Sequence, residues 1–537
     1  MNRTRALAIL SVALVTPLAL AGCSTGTPSG NSGASDDFAI DGTFSVAIAQ
    51  DPGDLNPLLT NLVAAQVVNA FAYESLVFVD PETSEMQPLL AESWEEVSPT
   101  EVNFTIKDGI TCSDGSEFTA ETAAANFNWI VDEANGSPLR DSIIPSSAVA
   151  TAEGNVVTVE VPEPKPFLLN NLGGQAMVCD AGLEDPSSVS AASNGTGLFE
   201  ITEVVANDHV TLTRRDGYSW GPEGFATSDT PGAPKTVTVK VVTDASTTAN
   251  LLLSKGLNAA VVSGADEARL ADLDYKSSPN LSGELIFNHL AGVSTADVEV
   301  RTALTQAADL DSFTDIITGG KGERATSLIT VEPKTCAYDS IADRLPEYDE
   351  DAAAATLEDA GWAKNADGVY ERDGQPLHVT LVYNNTTDTV SAASEYLATQ
   401  WENLGVEVEL KGGDQGFLVG STFAASDPSG WNVSVGLNLQ SNTPEIFIPY
   451  LSGPTIPEGT NFPSIDNQEY VDLTAEASLE VGDAACDLWK QAEQALFDAV
   501  DIIPVSVTPY KMYFNGATSL VAPVAGILPA GAIRVLK

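Results

Sequence analysis

The sequence YESLVFVDPETSEMQPLLAESW, residues 73–94, is the most informative stretch of this chain. Two further motifs follow it at short distance, NFTIKDGI at residues 103–110 and SDGSEFTA at residues 113–120. Large apolar side chains such as Trp94 and Phe104 are expected in a hydrophobic core, because burial removes their surface from water. The three motifs therefore predict mostly structural scaffold.

Strands and helices alternate along the remainder of the chain. An apolar residue at every second position predicts a strand, and apolar residues three and four positions apart predict a helix. The alternation predicts an α/β or mixed α+β protein and argues against a solenoid or a β-sandwich. The predicted strands are Thr43–Ile48, Val156–Val161, Thr236–Val241, Leu377–Tyr383, Val406–Leu410 and Ile502–Val505, and the predicted helices cover residues 120–133, 297–310, 349–360, 391–404 and 484–500.

The N-terminus has the features of an export signal. Arg3 and Arg5 precede an apolar run at residues 6–20, which is too short to span a membrane comfortably. Leu20-Ala21-Gly22-Cys23 resembles the lipobox of bacterial lipoproteins, and an ordinary secretory signal is the alternative. A lipoprotein of this kind is held at the extracellular face of the bacterial cytoplasmic membrane. The resemblance implies three features: a signal peptide at residues 1–22, lipid on Cys23, and a flexible tether at residues 23–37.

Composition excludes several kinds of partner and chemistry. The chain has 24 basic and 75 acidic side chains and a formal net charge of −51, so its surface repels nucleic acid. The three histidines, His209, His289 and His378, do not share helical spacing, which argues against a histidine-based zinc or nickel site. The sequence contains no nucleophile-elbow, phosphate-loop or dinucleotide-binding motif. We therefore expect no cofactor, no metal and no catalysis, and the pattern favours a binding protein.

Several motifs, taken in order, resemble the family 5 extracellular solute-binding proteins of bacterial ABC transporters. This class includes oligopeptide-, dipeptide- and nickel-binding members. The resemblance covers the chain from about residue 40 to the C-terminus. Besides the three motifs above, it is carried by Asp51–Leu58, Asn194–Phe199, Asp297 with Arg301 and Ala303–Leu304, Asp349–Trp362, Asp466–Asn467 with Glu469–Tyr470, and Ile502–Pro504.

The resemblance implies an α/β, two-lobed periplasmic-binding-protein fold of type II, the peptide-binding class, with mixed sheets and an extra N-terminal subdomain. A solute is expected to bind between the lobes, and closure about a hinge is expected to bury it. The closed form of such a monomer would dock on a membrane permease that ATPase subunits drive. The implied boundaries are 38–71, 193–282 and 502–537 for the discontinuous first lobe, 72–192 for the extra subdomain, and 283–501 for the second lobe.

Four cysteines remain beyond Cys23, and they allow three pairings: Cys112, Cys179, Cys336 and Cys486. The implied domain boundaries favour Cys112–Cys179 and Cys336–Cys486, because each pair then falls inside one unit. Four buried free thiols are the alternative. Disulfides are expected to persist in an exported protein, because its surroundings are oxidising.

Ligand recognition in this family involves a segment of the second lobe, which here is Trp431–Pro444. Peptide-binding members hold the peptide ammonium with a carboxylate in this segment, and a tryptophan helps to wall the pocket. Here the segment has no acid before Glu445, and Leu437 stands at the place of the tryptophan. An unpaired ammonium in a closed cleft is costly. Either this protein does not bind a peptide ammonium, or an acid outside the segment binds it.

The same segment carries amides that suit peptide backbone or neutral hydroxyl groups. A peptide is the expected solute, and an oligosaccharide or another neutral solute is the alternative. A surface hydrolase and an adhesion or signalling module are the remaining classes. The candidate ligand-binding residues are Asn56, Tyr73, Gly195, Thr196, Gly197, Asn288, Trp431, Asn438, Gln440 and Asn442.

Overall fold

The computed structural model describes residues 37–537. The predicted signal peptide, Cys23 and most of the tether lie outside these residues. The strands, in chain order, are β1 Thr43–Ile48, β2 Val77–Val79, β3 Met86–Pro88, β4 Ala91–Ser98, β5 Glu101–Ile106, β6 Val149–Glu153, β7 Val156–Glu160, β8 Phe199–Val205, β9 His209–Arg214, β10 Thr236–Val241, β11 Ala259–Val261, β12 Asp274–Phe287, β13 Glu323–Arg324, β14 Ala363–Lys364, β15 Tyr370–Arg372, β16 Gln375–Pro376, β17 His378–Asn384, β18 Glu407–Gly413, β19 Val433–Val435, β20 Ile502–Phe514, β21 Ala517–Ser519 and β22 Ile533–Val535.

Polar side chains begin several helices at the residues that the sequence indicates. Thr119 Oγ1 accepts a hydrogen bond from the Thr122 N–H at 3.3 Å, and the Asp349 carboxylate accepts one from the Ala352 N–H at 2.9 Å. Such caps satisfy backbone donors that the first turn leaves free. The helices are α1 Val63–Ala72, α2 Ala120–Val131, α3 Leu168–Gly173, α4 Asp180–Glu184, α5 Ala245–Leu253, α6 Val298–Gln306, α7 Leu310–Thr318, α8 Glu350–Asp359, α9 Asp388–Leu404, α10 Gln415–Ser421, α11 Ile448–Leu451, α12 Gln468–Ala477 and α13 Gly482–Asp498.

One mixed sheet runs through the protein in the order β18-β17-β19-β12-β20-β11-β1-β10-β9-β8. β12 and β20 are antiparallel, and they pair from Asp274 opposite Phe514 to Ile286 opposite Ile502. These two long strands are therefore shared by both ends of the sheet. A separate four-stranded sheet, β4-β5-β7-β6, lies between β3 and β8 in the chain.

Hydrophobic cores divide along the large sheet. The first core packs on the β1 end of the sheet and continues without a break into residues 72–192. At the other end, Leu285 and Ile503 face a second core, while Ile286 and Ile502 face a third. This alternation follows because successive side chains of a strand point to opposite faces. We name residues 72–192 the subdomain, the rest of the first-core region the first lobe, and the region of the second and third cores the second lobe.

One predicted helix and one predicted strand differ in extent from the structure. The predicted helix at residues 297–310 is interrupted: α6 ends at Gln306 and α7 starts at Leu310, because the Asp309 carboxylate accepts from the Asp311 N–H and caps the second helix. The predicted strand Ile502–Val505 continues to Phe514. Its first residues pack in the second lobe, although the implied boundary assigns them to the first.

Both favoured disulfides are present. Cys112 is bonded to Cys179 in the subdomain and Cys336 to Cys486 in the second lobe, with Cα atoms 6.2 Å and 5.4 Å apart. The second bond ties the loop before α8 to α13. No helix within residues 37–537 has both the length and the apolarity that a membrane crossing requires.

Candidate functional site

A cavity of about 420 Å³ lies where the first lobe meets the subdomain. Its volume falls in the range of pockets that hold small molecules, about 300–1,000 Å³. The wall is built from α1, the subdomain and the loop before β22. Such a wall can bury the apolar part of a bound molecule. Most of its side chains are apolar, among them Phe78, Leu89, Leu139, Ile143, Phe225 and Ile527.

Two polar atoms of this wall lack a hydrogen-bond partner. Tyr73 Oη and Asn69 Oδ1 are unpaired, and the two residues are only 4% and 5% exposed. Both side chains line the cavity. Burial raises the pKa of the Tyr73 phenol, so it remains a neutral hydroxyl. An unpaired buried polar group costs about 1–3 kcal/mol, so both positions suit hydrogen bonds to a bound molecule.

Glu74 also lines the cavity, but its carboxylate is occupied. The Tyr218 hydroxyl donates to Oε1, and Trp220 Nε1 donates to Oε2 at 2.9 Å. Burial raises the pKa of the Glu74 carboxyl, and the hydrogen bonds from Tyr218 and Trp220 oppose that rise. Glu74 therefore holds the wall in place and offers no free acceptor.

Gly195, Thr196 and Gly197 pack against the end of α1. A Cβ added at Gly195 would lie 2.5 Å from the Ala72 carbonyl oxygen, and one added at Gly197 would lie 2.6 Å from the Ala72 carbonyl carbon. Only glycine permits this approach. Gly197 lines the cavity beside Tyr73, and Thr196 Oγ1 is buried without a partner. The structure thus places Gly197 with Tyr73 on this wall, whereas Gly195 and Thr196 pack against α1 without lining the cavity.

The second lobe presents another set of unpaired polar atoms in the segment Trp431–Pro444. Trp431 is fully buried, stacks on Phe462 with ring centroids 5.9 Å apart, and leaves its Nε1 unpaired. Asn438 has a positive φ of 53°, and its Oδ1 is buried without a partner. Asparagine tolerates this backbone region better than most residues. We call this segment the second wall, because its unpaired atoms can donate and accept hydrogen bonds.

Gln440 and Asn442 lie further along this segment. Gln440 Oε1 accepts from the Leu281 N–H at 3.2 Å, and Leu281 pairs with Val507 on β20. The segment therefore reaches the place where β12 and β20 pass from one lobe to the other. The Asn442 side chain is exposed, while its carbonyl accepts from the Thr335 N–H at 2.9 Å.

Glu284 is a residue of this wall that sequence reasoning missed. Its Oε2 accepts from the Leu439 N–H at 3.0 Å, its Oε1 has no partner, and the residue is 1% exposed. Burial raises the pKa of the Glu284 carboxyl to about 8. The available signal is an acid inside the apolar strand segment Leu281–Phe287.

Asn56 and Asn288 do not offer free polar atoms. Asn56 Nδ2 donates to the Pro186 carbonyl at 3.2 Å, and its Oδ1 accepts from the Leu58 N–H at 2.9 Å. Asn288 Nδ2 donates to the Trp431 carbonyl at 2.9 Å, and its Oδ1 is also hydrogen-bonded. Both side chains hold loops in place, and Asn288 positions Trp431.

The subdomain touches the second lobe directly. The Phe167 and Trp489 rings lie with centroids 6.0 Å apart, and Phe167 packs against the third core. A cavity of about 370 Å³ is lined by the turn at residues 82–84 of the subdomain and by second-lobe residues between Thr326 and Asp339. The subdomain, which contributes to the first wall, is therefore in contact with the second lobe, which carries the second wall.

The matching family model spans residues 85–453, which is more than half of the chain, and describes bacterial extracellular solute-binding proteins, family 5. The chain belongs to this family. Membership makes it an extracellular solute-binding protein rather than an enzyme, and it confirms the two-lobed fold of the type II, family 5 class.

Relatives of this family 5 protein cover most of its length. Protein XP55 of Streptomyces lividans is 26% identical over 386 residues, 68% of this chain, and the chain spans just under two thirds, 66%, of that protein. The glutathione-binding protein GsiB of Shigella dysenteriae is 24% identical over 485 residues, 86% of this chain and 88% of its own length. The ABC transporter substrate-binding protein CtaP of Listeria monocytogenes has a similar structure, with a TM-score of 0.76 at 18% identity over 93% of this chain and all of its own.

No metal centre is apparent in the described part of this family 5 chain, because residues 37–537 contain no group of three or more His, Cys, Asp or Glu side chains placed to hold an ion. His209 is flanked by Asp208 at 2.8 Å and Glu203 at 3.5 Å, on the surface of β9. His378 lies on β17 and is exposed.

Proposed function

We propose that this chain is the solute-binding component of an ABC importer and that it captures a peptide between its two lobes. The observation that carries the proposal is the pair of walls with buried, unpaired polar atoms. Tyr73 and Asn69 provide them on one wall, and Asn438 and Glu284 on the other. A bound molecule that satisfies these atoms would remove the cost of their burial.

A peptide suits both walls. Its amides donate and accept hydrogen bonds, and its side chains fill an apolar cavity such as that of about 420 Å³ beside Tyr73. The name of one relative agrees with this class: glutathione, bound by GsiB, is a tripeptide. A neutral oligosaccharide is the second candidate, because Asn438, Gln440 and Asn442 place three amides in one segment.

Closure would use the strands that both lobes share. We propose the domain boundaries given by the sequence, with the β20 crossing placed between Val507 and Met512, because Val507 packs in the third core and Met512 in the first. Glu267 of the first lobe accepts from Lys321 of the second at 2.6 Å and from Lys511 of β20 at 3.0 Å. These contacts would guide the hinge as the lobes enclose the solute.

Delivery requires partners outside this chain. We propose that lipid on Cys23 holds the protein at the extracellular face of the cytoplasmic membrane, and that the tether at residues 23–37 lets a monomer reach a permease driven by ATPase subunits. The family description, bacterial extracellular solute-binding proteins, agrees with a role in solute delivery outside the cell. No nucleic acid or cofactor enters the mechanism, and the chain performs no chemical step.

An uptake experiment tests this function. A strain that lacks the chain is compared with its parent in medium containing a tryptic digest of casein, and the peptides left in the medium are measured. We expect the deletion to leave peptides that the parent consumes, and the full chain to restore their uptake. The variant C23S should bind the same peptides but be released into the medium. Equal peptide consumption by parent and deletion strain would refute the proposal.

A further inference from the structure

We propose that a polar cavity at one end of the second-lobe sheet binds an organic cation through its alkylammonium or guanidinium group. The cavity has a volume of about 570 Å³, which lies in the range of small-molecule sites. It shares no residue with the cavity beside Tyr73. The inference therefore goes beyond the proposed function and does not depend on which solute the cleft takes.

The strand register places this cavity away from the amides of the second wall. His289 follows the end of β12, and Asp501 precedes the start of β20. At this end of the sheet, Phe287 pairs with Val433, the first residue of β19. Asn438 and the amides after it follow the opposite end of that strand. A ligand in this cavity would therefore lie outside the solute cleft.

A buried histidine supplies the unpaired polar atom of the cavity. His289 lines it, the side chain is 10% exposed, and its Nε2 has no hydrogen-bond partner among residues 37–537. Asp501 Oδ1 lies 3.7 Å from this atom, which is too far for a hydrogen bond. Burial, together with the positive charge of Arg301, lowers the pKa of His289 to about 3, so the imidazole is neutral. A buried ring nitrogen without a partner favours a ligand that bonds to it.

The polar groups around His289 bond to one another. The Arg301 guanidinium donates to four backbone carbonyls and, at 3.2 Å, to Asp501 Oδ1. The Asn467 side chain donates to Asp501 Oδ2 at 2.8 Å, and its own oxygen accepts from the Tyr470 N–H at 3.1 Å. Because Arg301 and Asp501 form an ion pair, their charges largely compensate each other, and the charge of the cavity is decided at its mouth.

The mouth of the cavity is acidic. Asp466, Glu469 and Asp498 line it, and all three are exposed. Asp498 is paired with Arg344 at 3.0 Å, whereas no ion pair of the described residues includes Asp466 or Glu469. Two uncompensated carboxylates at one opening attract a cation and repel an anion. The charge of the mouth and the unpaired nitrogen of His289 therefore point to the same class of ligand.

The side chains suit an organic cation better than a metal ion. Nowhere in residues 37–537 are three or more His, Cys, Asp or Glu side chains placed to coordinate one ion. Ammonium and guanidinium groups instead carry several N–H donors, which can bond to acceptors that are well separated. One donor would bond to His289 Nε2, and the others would face Asp466 and Glu469. Hydrogen bonds between a cation and a carboxylate are stronger than neutral ones.

The chain has only three histidines, so the ring of His289 can be observed directly. The full chain is prepared with isotope-labelled histidine in mild detergent, and NMR spectra of H209Q and H378Q assign the other two signals. The probe n-butylguanidinium is compared with n-butylurea, which has a similar shape and no charge. We expect butylguanidinium to shift the His289 signal saturably and to bind at least about 10-fold more tightly than butylurea, as a charged hydrogen bond implies.

Two double variants separate the cavity from the general charge of the surface. D466N/E469Q removes the two uncompensated acids of the mouth, whereas the matched control E476Q/E480Q removes two acids that do not line the cavity. All four side chains are exposed, so both variants should fold, and thermal unfolding checks this. We expect D466N/E469Q to bind butylguanidinium roughly 10- to 100-fold more weakly and E476Q/E480Q to bind it normally.

Two further probes distinguish the sources of such a cation. Agmatine is a free cation, and N-acetylarginine methylamide mimics an arginine side chain within a protein. Tighter binding of agmatine would support a small free cation as the ligand, and tighter binding of the blocked arginine would support a basic side chain of another protein. A His289 signal that butylguanidinium does not shift, equal affinities for butylguanidinium and butylurea, or unchanged binding in D466N/E469Q would overturn the site.

Discussion

The Phe167 ring of the subdomain packs on the Trp489 ring of the second lobe, with centroids 6.0 Å apart. Phe167 caps α3 in the left-handed region, at φ 54° and ψ 31°, a conformation that a bulky residue rarely adopts. The contact joins two parts of the chain that lie more than 300 residues apart in sequence. A relative movement of the subdomain and the second lobe would change this contact and, with it, the fluorescence of Trp489.

Removing this contact should weaken solute binding. F167A deletes most of a partly buried ring that holds the subdomain to the second lobe, so we expect solute affinity to fall by about 10-fold, the effect of roughly 1.4 kcal/mol. Tryptophan emission during titration with the solute measures the change. The control F417A removes a ring that is 37% exposed on α10 and should bind normally. Equal affinities for F167A and the wild type would show that the contact plays no part in closure.

Removal of the side-chain hydroxyl should affect the free energy of unfolding differently at Tyr73 and at Tyr218. Tyr73 Oη has no partner, whereas the Tyr218 hydroxyl donates to Glu74. We expect Y73F to keep or raise the free energy of unfolding and to lower solute affinity. Y218F should lower the free energy of unfolding by about 1–3 kcal/mol, because it leaves a buried carboxylate oxygen unpaired. Urea denaturation measures the free energy of unfolding, and a binding titration measures solute affinity. A lower free energy of unfolding in Y73F would contradict the finding that the Tyr73 hydroxyl has no partner in the solute-free protein.

Stability should depend on pH through Glu284. Its pKa is about 8 in the folded protein against an ordinary value of 4.5, so between these values the folded chain holds a proton that the unfolded chain has released. The free energy of unfolding therefore falls as pH rises through this range. E284Q removes this dependence, and its stability relative to the wild type should rise with pH by up to about 1.4 kcal/mol per unit. Denaturation of the solute-free protein between pH 5 and 7 measures the slope.

Glu493 and Asp501 contribute to the wild-type profile as well, because burial raises their pKa values to about 7 and about 6. Both are present in E284Q, so the difference between the two profiles isolates Glu284. Parallel profiles for the two proteins would mean that Glu284 is ionised in the folded state.

The Cys336–Cys486 bond should stabilise the second lobe. It closes a loop of sequence separation 150 and ties the segment before α8 to α13. We expect the double variant C336S/C486S to lose about 2–4 kcal/mol of unfolding free energy, measured by urea denaturation. Because dithiothreitol would open both disulfides, the proteins are compared without reductant, and C112S/C179S, which removes only the other bond, serves as the control. A midpoint unchanged in the double variant would contradict this prediction.

Local patterns predicted local structure well. Thr43–Ile48 and Thr236–Val241 are strands at the predicted residues, because their strict alternation matches a sheet with two different faces. The end of β20 was missed. Its second half, Val507–Phe514, contains Pro509 and is fixed by pairing with β12, more than 200 residues earlier.

The site was predicted only in part. The segment Trp431–Pro444 was identified, and the structure shows unpaired atoms at Trp431 and Asn438. Asn56 and Asn288 were candidate ligand-binding residues, and in the structure their amides bond to backbone groups of loops. Glu284 was missed because its single hydrogen bond comes from the N–H of Leu439, 155 residues away.

The most direct test of the central claim is native mass spectrometry of the full chain purified in mild detergent, with bound species released and fragmented. Our account predicts one bound molecule of peptide mass per chain, and a lower occupancy in Y73F and E284Q. Addition of a tryptic digest of casein to solute-free protein should restore that occupancy in the wild type. A ladder of bound masses spaced by one hexose would contradict the peptide assignment. Protein that stays bare after addition of the digest would contradict the claim that the two walls form a peptide-binding cleft.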